Sequence, residues 1–167
     1  MKWYVLSVIA VLIAALFETS LLPMAVGSAI RPGLILVLSA VWASLRGSDG
    51  FVWALGGGLV LDLMSSVPLG LTSLSLLIGN GVATILDRAP IPSRLFHSTT
   101  WVAIVTVVSQ GLILAGMAMS GKTVDVGYAT INVILPLMLL NPVLAVPVFA
   151  VLNAINQHLS ARQKSLV

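Results

Sequence analysis

Residues 31–74 read RPGLILVLSAVWASLRGSDGFVWALGGGLVLDLMSSVPLGLTSL. This stretch decides the fold class. Its only charges are Arg31, Arg46, Asp49 and Asp62, so apolar runs of helical length are divided by two short turns. Gly47-Ser48-Asp49-Gly50 is a turn rich in glycine and small polar residues, and Val67-Pro68 leaves space for nothing but a tight antiparallel hairpin. Two apolar helices joined so closely return to the side from which they came.

The same character extends to the whole chain. Of 167 residues 59% are hydrophobic and 8% charged, with a mean hydropathy of +1.12. Soluble domains carry about 25% charged residues, and so few charges do not cover the surface of a water-soluble globule. The composition excludes a soluble enzyme, a nucleic-acid module and a disordered chain. The net charge of +3 rests on eight basic residues against five acidic ones. In an apolar chain a small basic excess marks cytoplasmic loops and not a nucleic-acid patch. With no cysteine there are no disulfides and no cysteine–zinc sites.

A helix crossing the hydrocarbon layer needs about 20 apolar residues. Six spans are expected, at about 3–22, 30–45, 50–66, 69–86, 99–119 and 128–156, within one membrane domain of residues 1–157. The first apolar run is too long for the core of a signal peptide and contains Glu18, so it is read as a retained span. The second is short. The sixth holds Pro136, Pro142 and Pro147 and is expected to be kinked, or broken into half-helices near Asn141-Pro142. Residues 158–167 form a polar cytoplasmic tail. The fold class is therefore an all-α integral membrane protein, with both termini in the cytoplasm.

Orientation follows from lysine and arginine placement. Lys2, Arg46, Arg88, Arg94, Arg162 and Lys164 fall on one side, and Arg31 and Lys122 on the other. The richer side is cytoplasmic. Trp3, Trp42, Trp53 and Trp101 fall at that side too, where interfacial indoles settle.

Ionisable groups inside spans are costly and are the first candidates for function. There are two, Glu18 and Asp62, both toward the outer ends of their helices, where Arg31 also lies. An ion pair of Arg31 with either carboxylate is the plainest expectation, with a hydrogen-bonded partner as the alternative for Asp62. Contact with a partner helix comes next. A proton relay lacks the chain of titratable groups it needs. Small residues stand four apart in span three, at Gly50, Ala54 and Gly58, continuing to Asp62 and Ser66. Ala10, Ala14 and Glu18 repeat the spacing in span one. Such stripes let helix backbones approach closely, either within the chain or against another protein. The asparagines of span six are expected to hydrogen-bond across helices. His97 and His158 have no companions, no nucleophile stands near a base, and no cofactor, metal site or catalytic constellation is expected.

From Arg31 to about Leu86, a third of the chain, the sequence resembles the bacterial rod shape-determining protein MreD family. The resemblance is carried by a proline opening a short span, a charged turn, a glycine-rich span with an aspartate, and a proline-leucine-glycine hairpin. Pro32, Gly50, Gly58, Asp62, Pro68, Leu69 and Gly70 occupy these places. Gly33 stands where the family often has an aspartate. The resemblance implies a non-catalytic scaffold of the cell-elongation complex in the bacterial inner membrane. Such a scaffold binds the single-span protein MreC and helps couple MreB filaments to peptidoglycan synthesis for rod shape. The synthase RodA and its penicillin-binding protein are further implied partners, beside membrane lipids and no nucleic acid.

The architecture is also similar to the S component of energy-coupling-factor vitamin transporters, six-span helical bundles that dock through alanines like Ala10 and Ala14. Against that alternative stand outer loops poor in the aromatic and hydrogen-bonding groups a vitamin pocket needs.

Overall fold

The computed structural model describes residues 11–21, 32–65, 67–87, 93–121 and 125–164. Among them every regular element is helical and no strand occurs. Helix α1 (Val11–Ser20) ends in a π-helical turn, Phe17–Leu21. It is followed by α2 (Leu34–Arg46), α3 (Ser48–Met64), α4 (Leu71–Leu86) and α5 (Arg94–Met119). The last helix, α6, opens on one α turn (Val126–Ala129), passes through a π turn (Thr130–Ile134) and continues as Leu135–Lys164.

The centre of the bundle is α2, which packs on α3, α5 and α6. Eight of its 13 residues are buried, Ile35, Leu36, Val37, Ser39, Ala40, Val41, Trp42 and Ala43. Helix α4 lies between α3 and α5, and α5 packs along α6. Contacts fix the antiparallel directions. Ser44 meets Ser98 at 2.7 Å at one end, and at the other a Cβ on Gly116 would run into Leu71.

Turn chemistry sets the joints. Gly47 adopts φ 64°, where a Cβ is strained, and returns its N–H to the Ala43 carbonyl at 2.7 Å, so α2 stops and α3 starts within one residue. Gly70 also takes a positive φ, 87°, directly before α4. Helix α5 begins at Arg94, five residues before the expected 99, because the Ser93 hydroxyl caps it toward the Phe96 N–H at 3.5 Å.

Of the two alternatives for the last helix, the break at Asn141-Pro142 does not occur, and the helix runs through Pro142 and Pro147. The wider π turn comes just ahead of Pro136 and gives slack where a proline ring would crowd the preceding turn. The polar tail is helical as far as Lys164. Trp3 lies outside the described residues; Trp42, Trp53 and Trp101 do cluster at one end, but they turn into the bundle rather than serve as outward anchors. Trp42 and Trp101 are buried, Trp42 stacks on Trp53 at 5.4 Å, and the Trp101 indole donates to Asn80 Oδ1 at 3.2 Å.

Residues 94–119 and 126–157 form two helices long and apolar enough to cross a membrane. By contrast α2 extends only about 20 Å at 1.5 Å per residue. Its first residues lie against Asn141 of α6, halfway along the longer helix.

Candidate functional site

The polar groups of the bundle interior gather where two helices begin. Asp62 lies near the C-terminal end of α3, 2% exposed, and reaches over the first turn of α4. Its Oδ2 accepts the N–H of Gly70 at 2.9 Å and that of Ser73 at 3.4 Å, and its Oδ1 accepts the N–H of Thr72 at 3.1 Å. The Ser73 hydroxyl adds a fourth donor at 3.4 Å. The first turn of a helix has N–H groups with no partner in the helix and carries its positive dipole end. One carboxylate answers both needs, so Asp62 ties α4 to α3.

Glu18 repeats the device on the preceding pair of helices. From the π turn of α1 its Oε2 accepts the N–H of Ile35 at 2.8 Å, in the first turn of α2. The neighbouring Gly33 N–H goes to Asn141 Oδ1 at 3.2 Å, and Asn141 Nδ2 donates to Thr106 Oγ1 at 3.1 Å. Four helices, α1, α2, α5 and α6, are thus joined at the start of α2. Both α2 and α4 therefore begin under a carboxylate supplied by the helix before them.

Arg31 lies outside the described residues, so its expected ion pair is not described. The donors that Asp62 and Glu18 do meet are the backbone and hydroxyl groups just named. Ala10 is also outside the described residues, whereas Ala14 is half-buried against the core between buried Val11 and Ala15. In α3 the small stripe is covered by the chain itself. Gly50 lies against the Ala43 backbone, Ala54 is fully buried, and a Cβ on Gly58 would stand 2.5 Å from Ser73 Cα. The open face of α3 carries Val52, Leu55, Leu59 and Leu63 instead.

Pro32 precedes the Gly33 cap of α2, and Pro68 precedes the turn into α4. Leu69 points outward, 71% exposed, at the tip of the hairpin. Of the span-six asparagines, Asn141 hydrogen-bonds across helices as expected, to Thr106, whereas Asn132 bonds back to the Tyr128 carbonyl of its own helix; the bridge of Asn80 with Trp101 escapes a reading of spacing. The signal for that bridge is an amide inside an apolar run. Among the described residues no three His, Asp or Glu side chains converge on a metal-sized site.

Comparison with known proteins finds no matching family model, and no match among curated proteins or solved structures.

Proposed function

We propose that this chain is a non-catalytic scaffold of the bacterial cell-elongation complex. It crosses the inner membrane six times, keeps both termini in the cytoplasm and binds an MreC-like single-span protein. The observation that carries the reading is how the quoted motif is spent. Gly50 and Gly58 bring α2, α3 and α4 into backbone contact, Gly70 makes the turn, and Asp62 locks it. Gly58, Asp62, Pro68 and Gly70 thus serve the α3–α4 hairpin and Gly50 the approach of α2, with Leu69 left outward at the hairpin tip.

The surface supports placement in lipid. Leu63, Leu139, Val143, Ile131 and Val52 are each more than 60% exposed, apolar side chains that lipid accommodates and water does not favour. Charged side chains of described helices stand at the helix ends, among them Arg46, Asp49, Asp87 and Arg94. A partner helix in lipid gains from close packing and not from water exclusion, and the hairpin leaves the Val52, Leu55, Leu59 and Leu63 face of α3 open for it.

Depletion in a rod-shaped host tests the proposal. Cells losing the chain are expected to become round while envelope synthesis continues diffusely. Unchanged rods after depletion contradict it.

A further inference from the structure

At the end of the bundle that carries Arg46 and Arg94, a cleft of about 450 Å³ opens among α2, α3, α4 and α5. The residues lining it include Phe51 and Trp101, Ser44, Ser48 and Thr84, and Asp87. The hydrogen-bonding sense of these groups is lopsided. Thr84 Oγ1 spends its proton on the Asn80 carbonyl at 2.8 Å, whereas Ser44 Oγ is already engaged, donating to the Val41 carbonyl at 2.8 Å and sharing a 2.7 Å bond with Ser98 Oγ. The Trp101 N–H is committed to Asn80 and leaves only its ring. Asp87 Oδ1 is held by His97 Nε2 at 2.7 Å, and the side chain remains about one-third exposed (34%). Arg46, beside Gly47 of the cleft, is directed to Asp49 at 3.8 Å and over the Trp42 ring. What the cleft offers is one part-exposed carboxylate, the Thr84 acceptor, the Ser48 hydroxyl, which is exposed and can give or accept a hydrogen bond, and the Phe51 ring beside the mostly buried Trp101.

Acceptors with aromatic faces select a cation that carries its own N–H donors. The volume falls within the range of small-ligand sites, about 300–1,000 Å³. We propose that the cleft binds the primary ammonium of an aminophospholipid headgroup. The lipid source is favoured by what flanks the lining residues. Val52 and Leu55 follow Phe51 on α3, Ile85 and Leu86 lie between Thr84 and Asp87 on α4, and all four are exposed and apolar. An acyl chain lies along such side chains while the headgroup is held at Asp87. The inference rests on the membrane placement proposed above and not on the identity of the protein partner.

The test reconstitutes the full chain in phosphatidylglycerol nanodiscs containing either phosphatidylethanolamine or phosphatidylcholine, and counts retained lipid by native mass spectrometry. The two zwitterions differ in the N–H donors of the ammonium. Retention of phosphatidylethanolamine is expected to exceed that of phosphatidylcholine by about tenfold, the scale of one charge-assisted hydrogen bond. Asp87→Asn should bring the two lipids to parity, and Thr84→Val, which removes one acceptor, should narrow the difference. Equal retention by the unmodified chain overturns the proposal, and that comparison needs no variant. Displacement by soluble phosphoethanolamine at the lipid's own concentration overturns the lipid source. The scaffold proposal is read separately: Asp87→Asn should still capture the single-span partner, and absence of that partner in every lipid counts against the scaffold alone.

Discussion

The Asp62 carboxylate accepts the Gly70 N–H at 2.9 Å across the turn that joins α3 to α4. Through that bond and those to Thr72 and Ser73, the end of one helix supplies the cap of the next. The arrangement holds the hairpin closed without a cation among its described partners, because the dipole of α4 is directed at the carboxylate.

Removing the cap should open the hairpin. Asp62→Ala leaves the buried Ser73 N–H without an acceptor, at a cost of about 1–3 kcal/mol when nothing replaces it, and frees the half-buried N–H groups of Gly70 and Thr72. The variant is expected to unfold at a clearly lower temperature in mild detergent. Asp62→Asn retains one carbonyl acceptor and should fall between. An unchanged midpoint for Asp62→Ala contradicts the clamp.

The glycines of α3 are not equivalent. A Cβ at Gly58 would stand 2.5 Å from Ser73 Cα, whereas at Gly56 nothing lies within 4 Å. Gly58→Ala must push α4 away and is expected to cost about 1–3 kcal/mol. Gly56→Ala should be neutral, or stabilising by up to about 1 kcal/mol through helix propensity. Thermal midpoints of the two variants check the order. Equal effects show that α3 and α4 do not approach at Gly58.

Asn141 and Thr106 act as a unit, because one Asn141 amide serves both Thr106 and Gly33. Asn141→Ala and Thr106→Val should each destabilise the chain. The double variant should lose less than the two together, with a coupling of about 0.5–3 kcal/mol. Strict additivity in a double-mutant cycle rules the bridge out.

Glu18 is expected to control the start of α2 locally. Glu18→Ala removes the acceptor of the Ile35 N–H, and hydrogen exchange at Ile35 should quicken while Val41, deep in α2, stays protected. Slow exchange at Ile35 in that variant assigns its protection to something other than Glu18.

Much of this was readable before any coordinates. Apolar runs and glycine turns located α2, α3 and α4 to within a few residues, and the Val67-Pro68 spacing demanded the hairpin. The four-residue spacing of Gly50, Ala54 and Gly58 announced close packing. Spacing shows which residues share a face but not what covers it, and the cover proved to be Ala43 and Ser73 of the same chain. Asp62 drew notice as a charge in an apolar run, yet its partners are main-chain N–H groups, which carry no mark in a sequence. The three prolines of α6 leave a kinked helix and a broken one equally open, and only the packed bundle shows that the helix continues through Pro142. The π turn Thr130–Ile134 that precedes Pro136 is a backbone adjustment, with no residue signature of its own.

Purification from native membranes in mild detergent, with identification of every co-eluting chain, tests the scaffold proposal most directly. The expected result is a single-span protein with an extracytoplasmic coiled coil, accompanied by a peptidoglycan synthase. Recovery of an energising ATPase pair, or of the chain alone under conditions that preserve other complexes of the cell envelope, contradicts it.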